Sequence, residues 1–536
     1  MTKPTKPGSP EQYLTELFEK HDRAFLGDEL KEKLVKKFGK SDQAARQVVT
    51  RFAGKGIIQS SKPVSFGKGT YAYYPLNKVI TLDDLLGLTR LKRPPLFRLL
   101  SAIKKCGGII SYYEALKITS TPLKASRSKT LLLDELLAEL KHFGVINIKL
   151  DNHKTKYIVA TYLDDAIVDS VVARHYALMI VDAMFLYDIL ASLGKLNLID
   201  NKFNVYRNRK FPSIGARHNN FVWDAFSYTR TTGINTVYGK QKLVSTKQAL
   251  VVLDVVVSRN YELFDFEGFF ARVQVLLNQT RKERKIIPII VYKDISREAL
   301  NKARSLGLLT YNMSAFFGNS VYEVINNIVD IKLQEYTEQP MLIDPVQVIS
   351  DTLELIDITG NGINLQNVTG DFFQSLMYQL FHQLYSGCTI IQSEKLPAMD
   401  TIDKKNRSYE YDFVIFSRNT WEIVVVELKG SMKNYTIRKG DYKKKNTLKW
   451  FFGRTLPSIM QHYTTGAMDR YQVKGCFITT GKFDTEGELY LGELNVSKLK
   501  PNALEIGYNG KQVVSLAGYN NLGLLKETLE KYFVQD

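Results

Sequence analysis

Tyr411-Asp-Phe-Val-Ile-Phe-Ser-Arg-Asn-Thr-Trp-Glu-Ile-Val-Val-Val-Glu-Leu-Lys429 holds two apolar, β-type runs, 411–416 and 423–428, around a polar turn at Ser417–Thr420. A hairpin centred between Asn419 and Thr420 pairs position 412 with position 427. Asp412 and Glu427 then face each other across the ladder, with Cβ atoms within about 5.5 Å. Strand period two sets Glu427 and Lys429 on one face. The run Ile423–Lys429 is apolar on both faces, as expected of a central strand, where an unpaired Glu is costly. The bland reading is a solvated strand edge carrying a common E-x-K. The sharper reading is a divalent cation, Mg2+ or Mn2+, bridging Asp412 and Glu427 with Lys429 beside it. Such hard cations take carboxylate, water and phosphate oxygens, and they activate water for phosphodiester hydrolysis.

The pattern D-x14-E-x-K on a hairpin resembles the PD-(D/E)xK nuclease superfamily, which includes many restriction enzymes. The resemblance implies Asp412 and Glu427 as metal-binding acids and Lys429 as the catalytic lysine. Tyr411 stands where the Pro of the family name would be. The family often has a further acid on a preceding helix. That helix reads Gly370–Leu384 here, with Gln374 at the expected position, Asp371 one turn earlier as a stand-in, and Glu394 as a weaker one. A helix at Leu456–Met468 and a strand at Val473–Thr480 complete the family's core order over roughly residues 365–485. From 429 to 449 eight Lys/Arg face one acid, Asp441, and make Lys443, Lys444 and Lys445 candidate DNA contacts.

The remaining chain bounds this reading. At 536 residues it is too long for one core. Hydrophobic residues make up 44%, enough for globular packing. A net charge of +18 points to a polyanionic partner, nucleic acid or anionic membrane. No apolar run approaches 18 residues, so no membrane span is expected. The N-terminus lacks an apolar signal core, and Cys106, Cys388 and Cys476 are scattered, which fits a reducing cytoplasm. No G-x4-G-K-[ST] occurs, so no P-loop is expected.

Residues 11–75 read as three helices and a two-stranded wing, with Ser41 and Asp42 capping the third helix, Gln43–Ala53. The order resembles a winged helix-turn-helix. Arg46, Gln47 and Arg51 on the third helix, with Gln43, become candidate base or phosphate contacts, and Lys62 and Lys68 candidate wing contacts. The pattern recurs about 88 residues later: helices Leu96–Cys106, Ser111–Lys117 and Arg127–Phe143, then a wing, with Gly56 and Gly144 at equivalent points. Lys124, Arg127, Lys129, Lys154 and Lys156 are its basic candidates. Such modules also bind protein partners.

Residues 165–335 alternate helices and apolar strands, an α/β pattern. They resemble an eroded second nuclease core, with Asp224 and Asp254 as the acids and Val256 at the lysine position. A small α/β domain with a buried, hydrogen-bonded Asp reads equally well. Gln334–Pro345 reads as a linker. The expected layout is winged helices at 1–85 and 86–164, an α/β domain at 165–335 and a nuclease domain at 345–536. It implies a metal-dependent endonuclease acting on double-stranded DNA. The expected setting is prokaryotic defence or a mobile element, with a homodimer for double-strand cleavage and a defence or transposition protein as partner. A non-catalytic DNA-binding adaptor and an RNA- or structure-specific nuclease are the alternatives.

Overall fold

The computed structural model describes residues 8–67, 69–125, 131–200, 205–230, 248–279, 284–337, 343–362, 364–430, 435–463, 468 and 470–534. The protein is a mixed α/β, multidomain arrangement with several small sheets.

The first unit runs α1 (Pro10–Lys20), β1 (Phe25–Leu26), α2 (Gly27–Phe38), α3 (Asp42–Gly54), β2 (Ile58–Ser60) and β3 (Ala72–Pro75), in a sheet ordered β1-β3-β2. Ser9 and Ser41 accept from the backbone N–H groups of Gln12 and Ala44 and so start α1 and α3. Leu14, Leu30, Leu34, Ala45 and Phe52 close a core confined to this unit. A connecting helix, α4 (Leu82–Thr89), follows where the sequence signalled none.

The second unit repeats the element order: α5 (Pro94–Lys105), β4 (Ile109–Ser111), α6 (Tyr112–Thr119), α7 (Leu133–His142), β5 (Ile146–Leu150) and β6 (Lys156–Ala160). Its sheet, β4-β6-β5, has the order of the first. Gly56 and Gly144 end the third helix of each unit with φ of 69° and 68°, a conformation that costs glycine little. The third helix of the second unit begins at Leu133 rather than Arg127, and residues 126–130 lie outside the described ones.

The apolar stretch Val168–Leu193 lies in two helices, α8 (Asp165–Met184) and α9 (Leu186–Lys195), with Phe185 between them. Together they are long and apolar enough to cross a membrane by length and composition, contrary to the expectation from run length. Their most apolar 18-residue window is 78% buried within the protein. That is the signature of a core helix sheathed by other elements.

The third unit continues with β7 (Val205–Tyr206), β8 (Ala216–His218), β9 (Phe221–Trp223), β10 (Ala225–Thr229), β11 (Ala249–Tyr261), α10 (Leu263–Gln279), β12 (Ile286–Ile295), α11 (Arg297–Ser305), β13 (Leu309–Asn312), α12 (Ser314–Phe317) and α13 (Val321–Thr337). The expected linker is helical at its start, since Gln334 lies in the last turns of α13, while 338–342 lie outside the described residues.

The fourth unit carries α14 (Pro345–Ile358), α15 (Gln366–Leu384), β14 (Thr389–Met399), β15 (Asn406–Ser417), β16 (Glu422–Lys429) and β17 (Thr436–Ile437). Next come α16 (Leu448–Trp450), a π-helical turn over Phe451–Thr455, and α17 (Leu456–Tyr463); residues 464–467 of the helix expected to reach Met468 lie outside the described ones. Then follow β18 (Gln472–Thr479), β19 (Lys482–Phe483), α18 (Thr485–Asn495), β20 (Gly507–Tyr508), α19 (Gly510–Tyr519) and α20 (Gly523–Tyr532).

The two large sheets share one plan. Orders β7-β10-β11-β12-β13 and β14-β15-β16-β18-β20 each place three antiparallel strands beside two parallel ones. Helices connect the parallel strands, as such crossovers require. One continuous core runs from Val251, Leu253 and Ile289 through α8, α13 and α15 to Phe413, Val424 and Val426, so the third and fourth units are joined through packed apolar side chains.

Candidate active site

The hairpin register is the one the sequence predicted, with Ser417 opposite Glu422 and Phe413 opposite Val426. Asp412 and Glu427 come next in that register, one residue past the last paired rung. There the strands part, and Asp412 Oδ2 accepts the backbone N–H of Leu428 at 2.6 Å. Glu427 Oε1 lies 2.5 Å from Lys429 Nζ, so the expected same-face pair forms. β16 is central, between β15 and β18, which is why its charges need partners.

These residues border a cleft of about 910 Å³, walled by Asp412, Lys429 and Gly430 from the sheet and by Asp371 and Gln374 from α15. Glu427 is not among the residues that line it. Gln374 contributes Nε2, which donates to Ser393 Oγ at 3.4 Å. Asp371 is the acid the helix brings to the cleft, and its Oδ2 is buried without a hydrogen-bond partner. Glu394 is not among the cleft residues.

Two side chains that sequence reading missed complete the cluster. Both come from the segment after β7. Lys210 Nζ contacts Asp412 Oδ1 and lies 3.2 Å from Glu410 Oε1. Arg209 Nη1 lies 3.0 Å from Asp371 Oδ1. The local signal was faint: three cations, Arg207, Arg209 and Lys210, around Asn208, which accepts from the N–H groups of Lys210 and Phe211 and so fixes the turn.

Burial pushes the Asp412 carboxyl up, but Lys210, then Lys429 and the Leu428 N–H, outweigh it and hold it below the usual carboxylate range. Burial, aided by Asp412, carries Glu427 above its ordinary value despite Lys429. Burial opposes the charge on Lys429, yet Glu427 and Asp412 raise its ammonium above the ordinary lysine value. Asp371 is raised by burial, against Arg209.

None of the protein-family models, curated proteins and solved structures compared with this chain matches it.

The described residues bring no three His, Cys, Asp or Glu side chains together as a metal group. The carboxylates that line the cleft are Asp412, Asp357 and Asp371, the last with an unpartnered buried oxygen, while Glu427 lies beside Lys429 and does not line it. Two carboxylates suit a Mg2+ ion that keeps several waters.

The third unit carries the same construction. Ala225 is opposite Leu253, so Asp224 faces Asp254 one residue further on. Asp224 Oδ2 accepts the N–H of Val255 at 2.8 Å, as Asp412 accepts that of Leu428. Val256 occupies the place of Lys429, and the lysine arrives from outside the sheet. Lys117 of α6 contacts Asp224 and lies 3.0 Å from Asp254. Arg272 Nη2 lies 3.1 Å from Asp254, and Tyr113 and Tyr261 donate to Asp224 and Asp254. Burial would lift Asp254, but Lys117 and Arg272 hold it below its ordinary value. The void beside Lys117 measures only about 10 Å³, room for one water at most.

The expected nucleic-acid contacts divide. On α3, Arg46, Gln47 and Arg51 are exposed beside Gln43. Lys443, Lys444 and Lys445 are exposed on a turn whose N–H groups at 443 and 444 donate to Asp441. Lys68, Arg127 and Lys129 lie outside the described residues. The second unit's third helix, α7, exposes Asp134 and Glu135 in its first turn and Lys141 and His142 in its last. Lys156 is drawn to Asp134 at 3.1 Å, and Asn220 of the third unit accepts from the Lys124 N–H. The second unit also packs against the third through α6, which contacts α10 and β9.

Proposed function

We propose that this chain is a divalent-metal-dependent endodeoxyribonuclease of the PD-(D/E)xK type. The observation that carries the reading is the open cleft at the parted end of the hairpin, where Asp412 and Lys429 meet Asp371. Asp412 and Glu427 would hold Mg2+ or Mn2+, which supplies Lewis-acid charge and a water of lowered pKa. Lys429, held protonated between Glu427 and Asp412, would steady the charge developing on the scissile phosphate. The first unit would act as a winged helix, with Arg46, Gln47 and Arg51 of α3 on the duplex. Lys443, Lys444 and Lys445 would meet backbone phosphate near the cut. Two chains would pair to cut both strands. By family analogy, a role in prokaryotic defence or transposition with a partner protein belongs to the same proposal. The third unit is read as a related fold whose acid pair is closed by Lys117.

A second reading, a DNA-binding adaptor without catalysis, rests on the lysines that already neutralise both acid pairs. One assay separates them. Plasmid and linear duplex are incubated with the protein and Mg2+, Mn2+ or EDTA, alongside Asp412→Ala, Glu427→Ala and Lys429→Ala. We expect metal-dependent cutting that each substitution lowers by at least a hundredfold, the range of a lost electrostatic contact to the transition state. Cleavage surviving all three changes would end this site assignment. No cleavage by the intact chain, with duplex binding retained, would leave the adaptor.

A further inference from the structure

Lys210 belongs to the third unit, yet its ammonium lies on the acid assigned to the metal. Its backbone is not free to drift. Asn208 accepts from the N–H groups of Lys210 and Phe211 at 2.9 and 3.1 Å, and Tyr176 OH donates to the Lys210 carbonyl at 3.3 Å. The Asn208 N–H donates to Ile214 O, and the Arg207 N–H to Asp224 O. The segment thus presents Lys210 to the fourth unit from a firm base, while its four-carbon stem lets the ammonium move.

Both oxygens of Asp412 are engaged, Oδ1 by Lys210 and Oδ2 by the Leu428 N–H. Three cations meet four acids around the cleft, and its wall holds a further acid, Asp357. Asp371, Asp412, Glu410 and Glu427 are met by Arg209, Lys210 and Lys429. A divalent ion brought to Asp412 would sit within contact range of a like-charged ammonium, and that repulsion is strong where water is scarce. The third unit shows the end point of such an arrangement. There Lys117, also supplied by a preceding unit, lies between Asp224 and Asp254, and the space is filled.

We propose that Lys210 is a built-in counter-ion that competes with the divalent ion for Asp412, so that the third unit sets how readily the fourth loads its metal. The inference rests on the metal-site reading of Asp412 and Glu427. Lys429 cannot do this work alone, because its ammonium is held on Glu427 and takes no Asp412 oxygen. Lys210 holds the acid that the cleft exposes.

The test is Mn2+ binding to the full chain by calorimetry, for wild type, Lys210→Met and Lys210→Arg. The Met variant keeps the stem and removes the charge, and should bind Mn2+ at least about tenfold more tightly. The Arg variant keeps the charge and should stay within about threefold of wild type. Equal or weaker binding by Lys210→Met overturns the proposal while leaving the metal site standing. No Mn2+ binding by any of the three removes the metal reading itself. A second measurement needs no variant. Amine-reactive labelling of wild type, read by mass spectrometry, should rise at Lys210 when Mn2+ saturates the site. Protection that persists at saturation overturns the displacement.

Discussion

Lys117 shows how one side chain can define a site. It is buried among Asp224, Asp254 and Tyr113, on a helix whose residues from Tyr113 to Thr119 are all buried. Removing one partner of a buried ion cluster strands the others. Lys117→Met should therefore cost about 3 kcal/mol of unfolding free energy, read as a lower urea midpoint. A change below about 0.5 kcal/mol would mean that Arg207 and Arg272 already compensate both acids. The sequence held half of this arrangement. A lysine on a helix with no polar stripe demands an acid partner. Nothing local says which acid, because Asp224 lies 107 residues away. Lys210 and Asp412 are 202 residues apart and were invisible for the same reason. Asp412, Glu427 and Lys429 were legible because a single hairpin and its period of two bring them together.

At the level of elements, Asp188 on α9 tethers the start of α15. Its Oδ2 accepts from the Val368 N–H at 3.2 Å, and its Oδ1 from the Asn367 N–H at 3.3 Å. Burial pushes its carboxyl up to about 6, although Asn367 and the Val368 N–H pull the other way. An unfolded aspartate titrates near about 3.9. Between those values the folded chain binds more protons than the unfolded chain, so this group's contribution falls as pH rises from about 4 to about 6. Asp188→Asn has no such slope. Across that interval the stability difference should move in the variant's favour by roughly 2–3 kcal/mol, measured by urea unfolding at stepped pH. A difference that stays flat from pH 4 to 6 would dismiss this account. Strand and helix identities were mostly readable from pattern, since β11 and β16 are largely apolar runs, interrupted by Asp254 and Glu427. The break at Phe185 and the turn after α3 at Gly56 differ in this respect. The glycine announces itself, whereas nothing in the sequence around Phe185 marks a break.

On the scale of the whole molecule, the third and fourth units share one apolar core, while the first keeps its own. The two large sheets should therefore unfold together. Single-tryptophan variants provide the readout: Trp223 reports on the third unit and Trp450 on the fourth. Their denaturant midpoints should coincide within error, as one cooperative transition requires. Midpoints separated by more than about 0.5 M urea would mean two independent cores. Sequence placed a boundary near Gln334–Pro345 because prolines punctuate it, but apolar packing crosses that point and composition alone cannot reveal it. The stretch from Arg207 to Ile214 carries the same lesson in engineering language. It reads as spare surface, the kind of segment into which tags, cleavage sites and extra residues are ordinarily inserted without harm. Yet Arg207 is fastened to Asp224 beside one sheet, Lys210 to Asp412 on the other, and Arg209 to Asp371 on α15. It behaves as a spacer of fixed length between two acid pairs, and lengthening it by a single residue would put one end or the other out of reach.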